Sequence, residues 1–114
     1  MNVTAESYGH AVILNLKGEL TDDAIDAFRT AVEHQIEGKE IIDLVLNMQN
    51  VPFVDSMALE YLLDLNEKQA EKLGQVKLVN CDENISKILE ITRLDTVFDV
   101  FDDLAEAVKA VQAS

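Results

Sequence analysis

The sequence predicts an α/β domain built around a largely parallel sheet, and three observations lead to that prediction. Short apolar runs at 10–17, 41–47 and 76–80 have the length and the β-branched content of buried strands. Between them lie longer stretches whose apolar residues recur every three or four positions, as on one face of a helix. Strands that alternate with helices are typical of a sheet whose neighbouring strands run parallel. A chain of 114 residues is long enough for one such domain, and we expect a single domain over 1–114.

The first third of the chain supplies a strand and a helix. The run HAVILNLK at 10–17 is apolar on both of its faces, as expected for a strand that is covered on both sides. A helix over residues 22–36 follows, and Thr21 is its expected N-cap because threonine favours that position. Gly38 is expected to end this helix, since glycine readily adopts the left-handed conformation found just beyond a helix.

The middle of the chain repeats the pattern. The run IIDLVLN at 41–47 predicts a central buried strand, and residues 48–54 predict a connection that contains Pro52. From Ser56 the apolar positions recur at helical spacing, so a helix is expected to about residue 73, where Gly74 ends it.

The last third predicts four further elements. A strand is expected at 76–80, and a shorter helix around 85–89 follows it. FDVF at 98–101 predicts a last short strand, and the apolar positions over 104–111 predict a C-terminal helix.

Composition and charge narrow the classes of function. The chain has 22 acidic and 9 basic residues, a formal net charge of −13. Nucleic acid is an unlikely partner for such a chain, because phosphate binding needs clustered Lys and Arg; an anionic membrane surface is disfavoured for the same reason. A partner with a basic contact surface is favoured. The chain shows neither a signal-peptide pattern nor an apolar run of about 20 residues, and a cytoplasmic protein is the simplest expectation.

We expect neither a metal nor a cofactor. The two histidines, His10 and His34, lie far apart in the sequence, and Cys81 is the single cysteine. The four glycines are isolated, and neither of the common phosphate-binding glycine motifs occurs.

The pair Asp55–Ser56, where an apolar segment meets a helix, admits several chemical interpretations. Either side chain can cap the helix. A catalytic Ser56 would need a base, which only His10 or His34 could supply, and the G-x-S-x-G elbow of hydrolases is absent. A phospho-accepting Asp55 would need an acidic pair directly after the first strand, whereas Asp22 and Asp23 follow a Gly-Glu-Leu-Thr turn. We therefore do not expect an enzyme.

The same segment resembles a known family. LVLNMQNVPFVDSMAL at 44–59 is similar to the signature of the STAS domain, the domain of bacterial anti-sigma factor antagonists. VILNLKGEL at 12–20 resembles the family's second strand and its Gly-Glu-Leu turn. VKLVN, ITRLDTVFDVF and DDLAEAV resemble its C-terminal third, so the likeness extends over about residues 10–111.

The resemblance implies a fold, a site and a mechanism. The fold is a mixed sheet of four to five strands with about four helices, mainly on one face. Ser56 falls on the family's phosphorylated serine. The implied partner-binding residues surround it: Thr21, Asp22, Asp55, Ser56, Met57, Ala58 and Leu59. The implied mechanism is partner switching, in which the unphosphorylated protein binds an anti-sigma serine kinase and releases a sigma factor. Phosphorylation of Ser56 blocks this binding, and a PP2C-type phosphatase reverses it.

This sequence departs from the family pattern at three positions, and other functions remain open. Met57 and Ala58 replace a Ser or Thr and a Gly, and Thr21 replaces an Asp. Within the same fold, the alternatives are a separate STAS subunit of an ABC-type lipid-transport complex and a stressosome-type scaffold. A small serine hydrolase is a remote alternative from another class.

Overall fold

Five strands form one sheet in the computed structural model of the chain, which describes residues 1–112. Their order across the sheet is their order along the chain: β1 (Asn2–Tyr8), β2 (Ala11–Lys17), β3 (Asp43–Asn50), β4 (Val76–Val79) and β5 (Asp99–Phe101). The first strand pairs antiparallel with the second, and every later neighbour pairs parallel. The expected mixed sheet is therefore confirmed, with five strands.

Three helices cover one face of this sheet and a fourth covers the other. They are α1 (Asp22–Ile36), α2 (Ser56–Ala70), α3 (Glu83–Ile91) and α4 (Leu104–Gln112). The parallel strands are added in one direction, and right-handed crossovers then bring the first three helices to the same face. The last helix follows the last strand, so it is free to return along the opposite face.

The two faces of the central strands explain their apolar sequences. In β2, Val12, Leu14 and Leu16 belong to the large cluster that contains Phe28 of α1. Ile13 points to the opposite face and lies in the small cluster beneath α4. The strand is therefore apolar on both sides because helices cover both of its faces.

Several element boundaries differ from the predicted ones. The edge strand β1 was not predicted from the residue pattern, because most of its side chains are exposed and it lacks an apolar face. β3 continues to Asn50 instead of residue 47, and α2 ends at Ala70 instead of near residue 73. A short 3-10 helix, Leu94–Thr96, was also not predicted.

A row of side-chain amides crosses the sheet on the face that carries α4. Asn47 Nδ2 donates to Asn15 Oδ1 at 2.8 Å, and Asn80 Nδ2 donates to Asn47 Oδ1 at 3.1 Å. Asn15 Nδ2 in turn lies 3.4 Å from Glu6 Oε1 on the edge strand. The row therefore links four neighbouring segments of the sheet through side chains alone.

The end of α2 is fixed to the start of β3. Gln69 is completely buried, and its Nε2 donates to the carbonyl oxygens of Ile41 and Ile42 at 3.3 and 2.8 Å. Gly74 follows, and a Cβ added there would collide with the carbonyl group of Ile42. Glycine is thus required at 74 because two backbone segments approach each other closely.

We expect Gly74→Ala to lower the free energy of unfolding by about 3 kcal/mol, because the backbone must move to admit the methyl group. Gly9→Ala is the matched control. Its added Cβ meets nothing within 4 Å, so only the left-handed φ of 58° opposes it, at about 1 kcal/mol. Urea unfolding monitored by circular dichroism measures both values, and equal losses would contradict a steric role for Gly74.

Two further properties concern the described residues as a set. None of their helices is long and apolar enough to span a membrane. Within residues 1–112 there is also no group of three or more His, Cys, Asp and Glu side chains arranged to hold a metal ion.

Candidate functional site

The segments that follow β2 and β3 are joined to each other by backbone hydrogen bonds. Leu20 N donates to Phe53 O at 2.9 Å, and Asp55 N donates to Leu20 O at 3.1 Å. Leu20 and Val54 form a parallel bridge, and both are buried. The pairing of the two strands therefore continues past their ends, and it brings the first residues of α1 and α2 together at the carboxyl edge of the sheet.

One carboxylate caps both helices at this point. Asp55 Oδ1 accepts a hydrogen bond from Ala58 N at 2.9 Å, which caps its own helix, α2. Asp55 Oδ2 accepts a hydrogen bond from Asp22 N at 2.8 Å, in the first turn of α1. A negative charge is favourable at a helix N-terminus, and here it serves two termini at once.

The predicted N-cap position of Thr21 is confirmed, but the capping hydrogen bond comes from another residue. Thr21 occupies the N-cap position with extended backbone, but its side chain makes no capping hydrogen bond. The carboxylate of Asp55 takes that role from 33 residues further along the chain. Sequence spacing identifies a local cap, and it cannot reveal one that is supplied by another helix.

Ser56 begins α2 and is exposed, with two exposed apolar side chains near it in the sequence. Met57 is 50% exposed and Phe53 is 48% exposed. Phe53 was not among the predicted site residues. The signal available in the sequence was its place between the buried Val51 and Val54, just after a proline that keeps the segment out of the sheet ladder.

Two predicted contact residues have other roles. Ala58 is completely buried in the first turn of α2, so it exposes no surface in the free protein, and its contact with a partner stays a prediction. It has a helical conformation, which alanine adopts more readily than glycine. Leu59 is partly buried and packs against the main core. The exposed part of the predicted site therefore consists chiefly of Asp22, Ser56 and Met57.

Neither histidine can act as a base for Ser56. His10 precedes β2 and lies at the opposite edge of the sheet, a strand length of about 20 Å away. His34 is in the last turn of α1, about 18 Å along the helix from its first turn. The geometry thus lacks the imidazole that an activated serine requires.

Cys81 follows β4 at the same edge of the sheet and is partly buried. Burial, with a smaller contribution from the neighbouring Asp82, raises the pKa of its thiol to about 11. The thiol is therefore protonated at neutral pH and is a poor nucleophile.

We expect the Asp55→Ala variant to lose about 2 kcal/mol of folding free energy, because two helices each lose a cap. Asp82→Ala is the matched control, since the Asp82 side chain caps α3 alone, through Ile85 N at 2.8 Å. That variant should lose about 1 kcal/mol. Equal losses in chemical denaturation would contradict the double role of Asp55.

We expect Cys81 to react slowly with iodoacetamide at pH 7.5 in the folded protein and about tenfold faster for each unit of pH up to about 10, because only the thiolate reacts. Mass spectrometry of timed samples measures the rate, with the urea-unfolded protein as the reference. A rate at pH 7.5 that equals the unfolded rate would contradict the raised pKa.

The fold and the site define a class of protein: a small mixed α/β domain that presents an exposed serine at a helix N-terminus above the carboxyl edge of its sheet. The family model described as "STAS domain" matches residues 2–107 of the chain. The chain belongs to the STAS domain family.

Relatives in this family are named anti-sigma factor antagonists, the class of protein that the sequence resembles. The anti-sigma F factor antagonist of Paenibacillus polymyxa is 23% identical to this chain. The alignment covers 98% of this chain and 97% of that protein. The crystal structure of a candidate anti-sigma factor antagonist from Thermotoga maritima superimposes with a TM-score of 0.89 at 23% identity, covering 96% of this chain and 94% of the other.

Three further solved structures share this fold. The unphosphorylated anti-sigma factor antagonist SpoIIAA superimposes with a TM-score of 0.78 at 19% identity, covering 99% of this chain and all of SpoIIAA. A structure of the phosphorylated form of SpoIIAA from Bacillus has also been solved. The murine anion transporter Slc26a9 contains a similar fold, with a TM-score of 0.79 at 23% identity over 92% of this chain and 18% of the transporter.

Proposed function

We propose that this protein is an anti-sigma factor antagonist that acts by partner switching, with Ser56 as the switch. The main support is the position of Ser56, an exposed serine at the first residue of α2 beside exposed Met57. The names of the relatives support the same class of function. In this proposal the unphosphorylated protein binds an anti-sigma serine kinase in the cytoplasm, and the kinase then releases a sigma factor.

The site can accept a phosphate without losing its fold. Phosphorylation adds a charge of about −1.5 to −2 and three acceptor oxygens. The first turn of a helix tolerates such an anion, because its N–H groups and its dipole favour negative charge. Asp55 already accepts the capping hydrogen bonds from Ala58 N and Asp22 N. The phosphate therefore displaces neither bond and projects from the surface.

In this proposal the phosphate weakens the binding of the partner. Phe53 and Met57 are exposed apolar side chains close to Ser56 in the sequence, and in this proposal the partner covers them together with the hydroxyl group. A buried and unpaired charge costs about 3–5 kcal/mol. At about 1.4 kcal/mol for each factor of ten, binding weakens by a factor of roughly a hundred to a thousand or more. A PP2C-type phosphatase restores the binding form.

The charge of the protein defines what the partner must offer. The net charge of −13 and the carboxylates of Asp22 and Asp55 at the site favour a partner whose contact surface is basic. In this proposed cycle the protein itself needs no catalytic group.

We expect one phosphate per chain, on Ser56, after incubation with ATP and the cognate anti-sigma serine kinase. Fragment-ion mass spectrometry locates the phosphate, and Ser56→Ala should abolish it. Ser86→Ala is the control, because Ser86 is also an exposed serine in the first half of a helix but lies on α3. Phosphate on another residue, or none, would contradict the proposal.

We expect the Ser56→Asp variant to keep its circular dichroism spectrum and to bind the kinase at least a hundredfold more weakly, as measured by calorimetry. A charge at the contact surface is the physical reason. Ser86→Asp should bind like the unchanged protein. Retained affinity in Ser56→Asp would place the serine outside the interface.

A second candidate function is suggested by the structural likeness to part of an anion transporter. In that case the domain docks on a membrane transport complex as a separate subunit, with no phosphorylation. The test is a pull-down with the unchanged protein and with Ser56→Asp. Capture of transporter components by both forms equally would favour this candidate, or a stressosome-type scaffold if large assemblies of STAS proteins were captured.

A further inference from the structure

A cleft lies at the amino-terminal edge of the parallel strands, at the opposite end of the molecule from Ser56. Its volume is about 580 Å³, within the range of small-molecule binding sites. Residues at the starts of β3 and β4 line it, together with the turn before β2 and the segment after α2. The cleft shares no residue with the surroundings of Ser56, so a ligand bound there does not depend on the serine switch.

A nearly buried carboxylate faces the cleft with one oxygen unused. Asp43 is 7% exposed, and its Oδ1 accepts a hydrogen bond from Gln75 N at 3.0 Å. Over residues 1–112 no other donor contacts this carboxylate. In the described part of the chain, Gln69 Oε1 is the one fully enclosed side-chain polar atom without a partner. The unbonded Oδ2 of Asp43 is therefore accessible to solvent. The free oxygen therefore opens into the cleft that Asp43 lines.

The buried lysine of the cleft does not neutralise Asp43. Lys77 Nζ lies 3.1 Å from Asp99 Oδ2 and 5.8 Å from the centroid of the Phe101 ring. Gln75 Nε2 donates to the same Asp99 oxygen at 2.7 Å. Lys77 is therefore paired with Asp99, and the Asp43 carboxylate has no ion-pair partner within 4 Å among the described residues.

Two further side-chain atoms of the cleft are acceptors, whereas the Tyr8 hydroxyl can donate or accept and Lys77 donates to Asp99. His10 Nδ1 lies 3.1 Å from the carbonyl oxygen of Glu40, so this nitrogen carries the hydrogen and Nε2 of the neutral ring is left as an acceptor. The side-chain oxygen of Gln75 is also an acceptor, because its Nε2 is the atom bound to Asp99. A ligand that satisfies Asp43, His10 and Gln75 must therefore bring several N–H groups and a positive charge.

Aliphatic side chains form the remaining wall. Ile42 and Leu73 line the cleft, and Leu73 is 94% exposed with a left-handed φ of 66°. That conformation is unfavourable for leucine. It is fixed by the hydrogen bonds of Leu73 N to Ala70 O and of Gly74 N to Gln69 O, at 2.9 and 2.8 Å. An otherwise unpartnered leucine is thus held at the mouth of the cleft.

We propose that this cleft binds an ammonium or guanidinium group on an aliphatic stem, with the cation on Asp43 and the stem against Leu73 and Ile42. Such a group occurs in free alkyl amines and guanidines and in the basic side chains of a protein partner. The net charge of −13 attracts either one at long range. Two exposed lysines, Lys39 and Lys72, line the neighbouring depression beyond His10, so the cation is held at the Asp43 end.

The test is a titration of the ¹⁵N-labelled protein with butylguanidine, followed by NMR. Butylurea is the matched neutral probe, since it has nearly the same shape and lacks the charge. We expect saturable shifts of the amide signals of residues 9–10, 42–43 and 73–75 with butylguanidine, and at least tenfold weaker binding of butylurea. Equal binding of the two probes, or no saturation by either, would overturn the proposal.

Two variants locate the binding. Asp43→Asn keeps an oxygen for Gln75 N but removes the charge, and it should weaken butylguanidine binding at least tenfold. Asp102→Asn removes one charge from an exposed site elsewhere and should change it less than twofold. Equal effects of the two variants would show long-range attraction only and would overturn the proposal.

Leu73→Ser keeps the test valid if Asp43→Asn is not stably folded, because the Leu73 side chain is exposed. This variant should abolish the gain in affinity from ethylguanidine to hexylguanidine that we expect in the unchanged protein, and an unchanged gain would overturn the placement of the stem. Acetyl-Gly-Arg-Gly-amide separates the two sources. Binding as tight as butylguanidine indicates a side chain of a partner, and binding at least tenfold weaker indicates a free amine or guanidine.

Discussion

The carboxylate of Asp55 is the contact on which the arrangement of the site depends. Its two oxygens accept hydrogen bonds from the first turns of two different helices, so the helices cannot move apart without breaking one of these bonds. The backbone pairing between Leu20 and the segment from Phe53 to Asp55 brings those turns together in the first place. Ser56 is therefore placed by a junction of two crossovers and not by its own helix alone.

The residues that stabilise this junction differ from the residues that are exposed at its surface. The groups that hold it together are Asp55 and the buried pair Leu20 and Val54. The groups that a partner can reach are Ser56 and the side chains of Phe53 and Met57. Because the two sets differ, a covalent change on the serine can alter the surface while the capping bonds below it persist. Substitutions at the exposed positions should likewise change the surface more than the fold.

The elements that the sequence predicted are those whose apolar periodicity is strong. The strand around Leu14 and the helix around Phe28 were predicted closely, because burial on both faces or on one helical stripe leaves a clear pattern. β1 was not predicted, since an exposed edge strand has no apolar face to mark it. The bond between Asp55 and Asp22 could not be predicted, because it joins positions 33 residues apart and depends on the register of two loops. The burial of Ala58 depends in the same way on how α2 packs.

The row of amides formed by Asn15, Asn47 and Asn80 has a consequence for the history of the sequence. The central amide bonds to both neighbours, since Asn47 donates to Asn15 and accepts from Asn80. Replacement of Asn47 alone by an apolar residue removes the partner of Asn15 Oδ1 and of Asn80 Nδ2 at half-buried positions, which is more costly than replacement of all three together. Evolution can therefore leave this row only by passing through a less stable intermediate, and the three asparagines should be inherited or lost as a set.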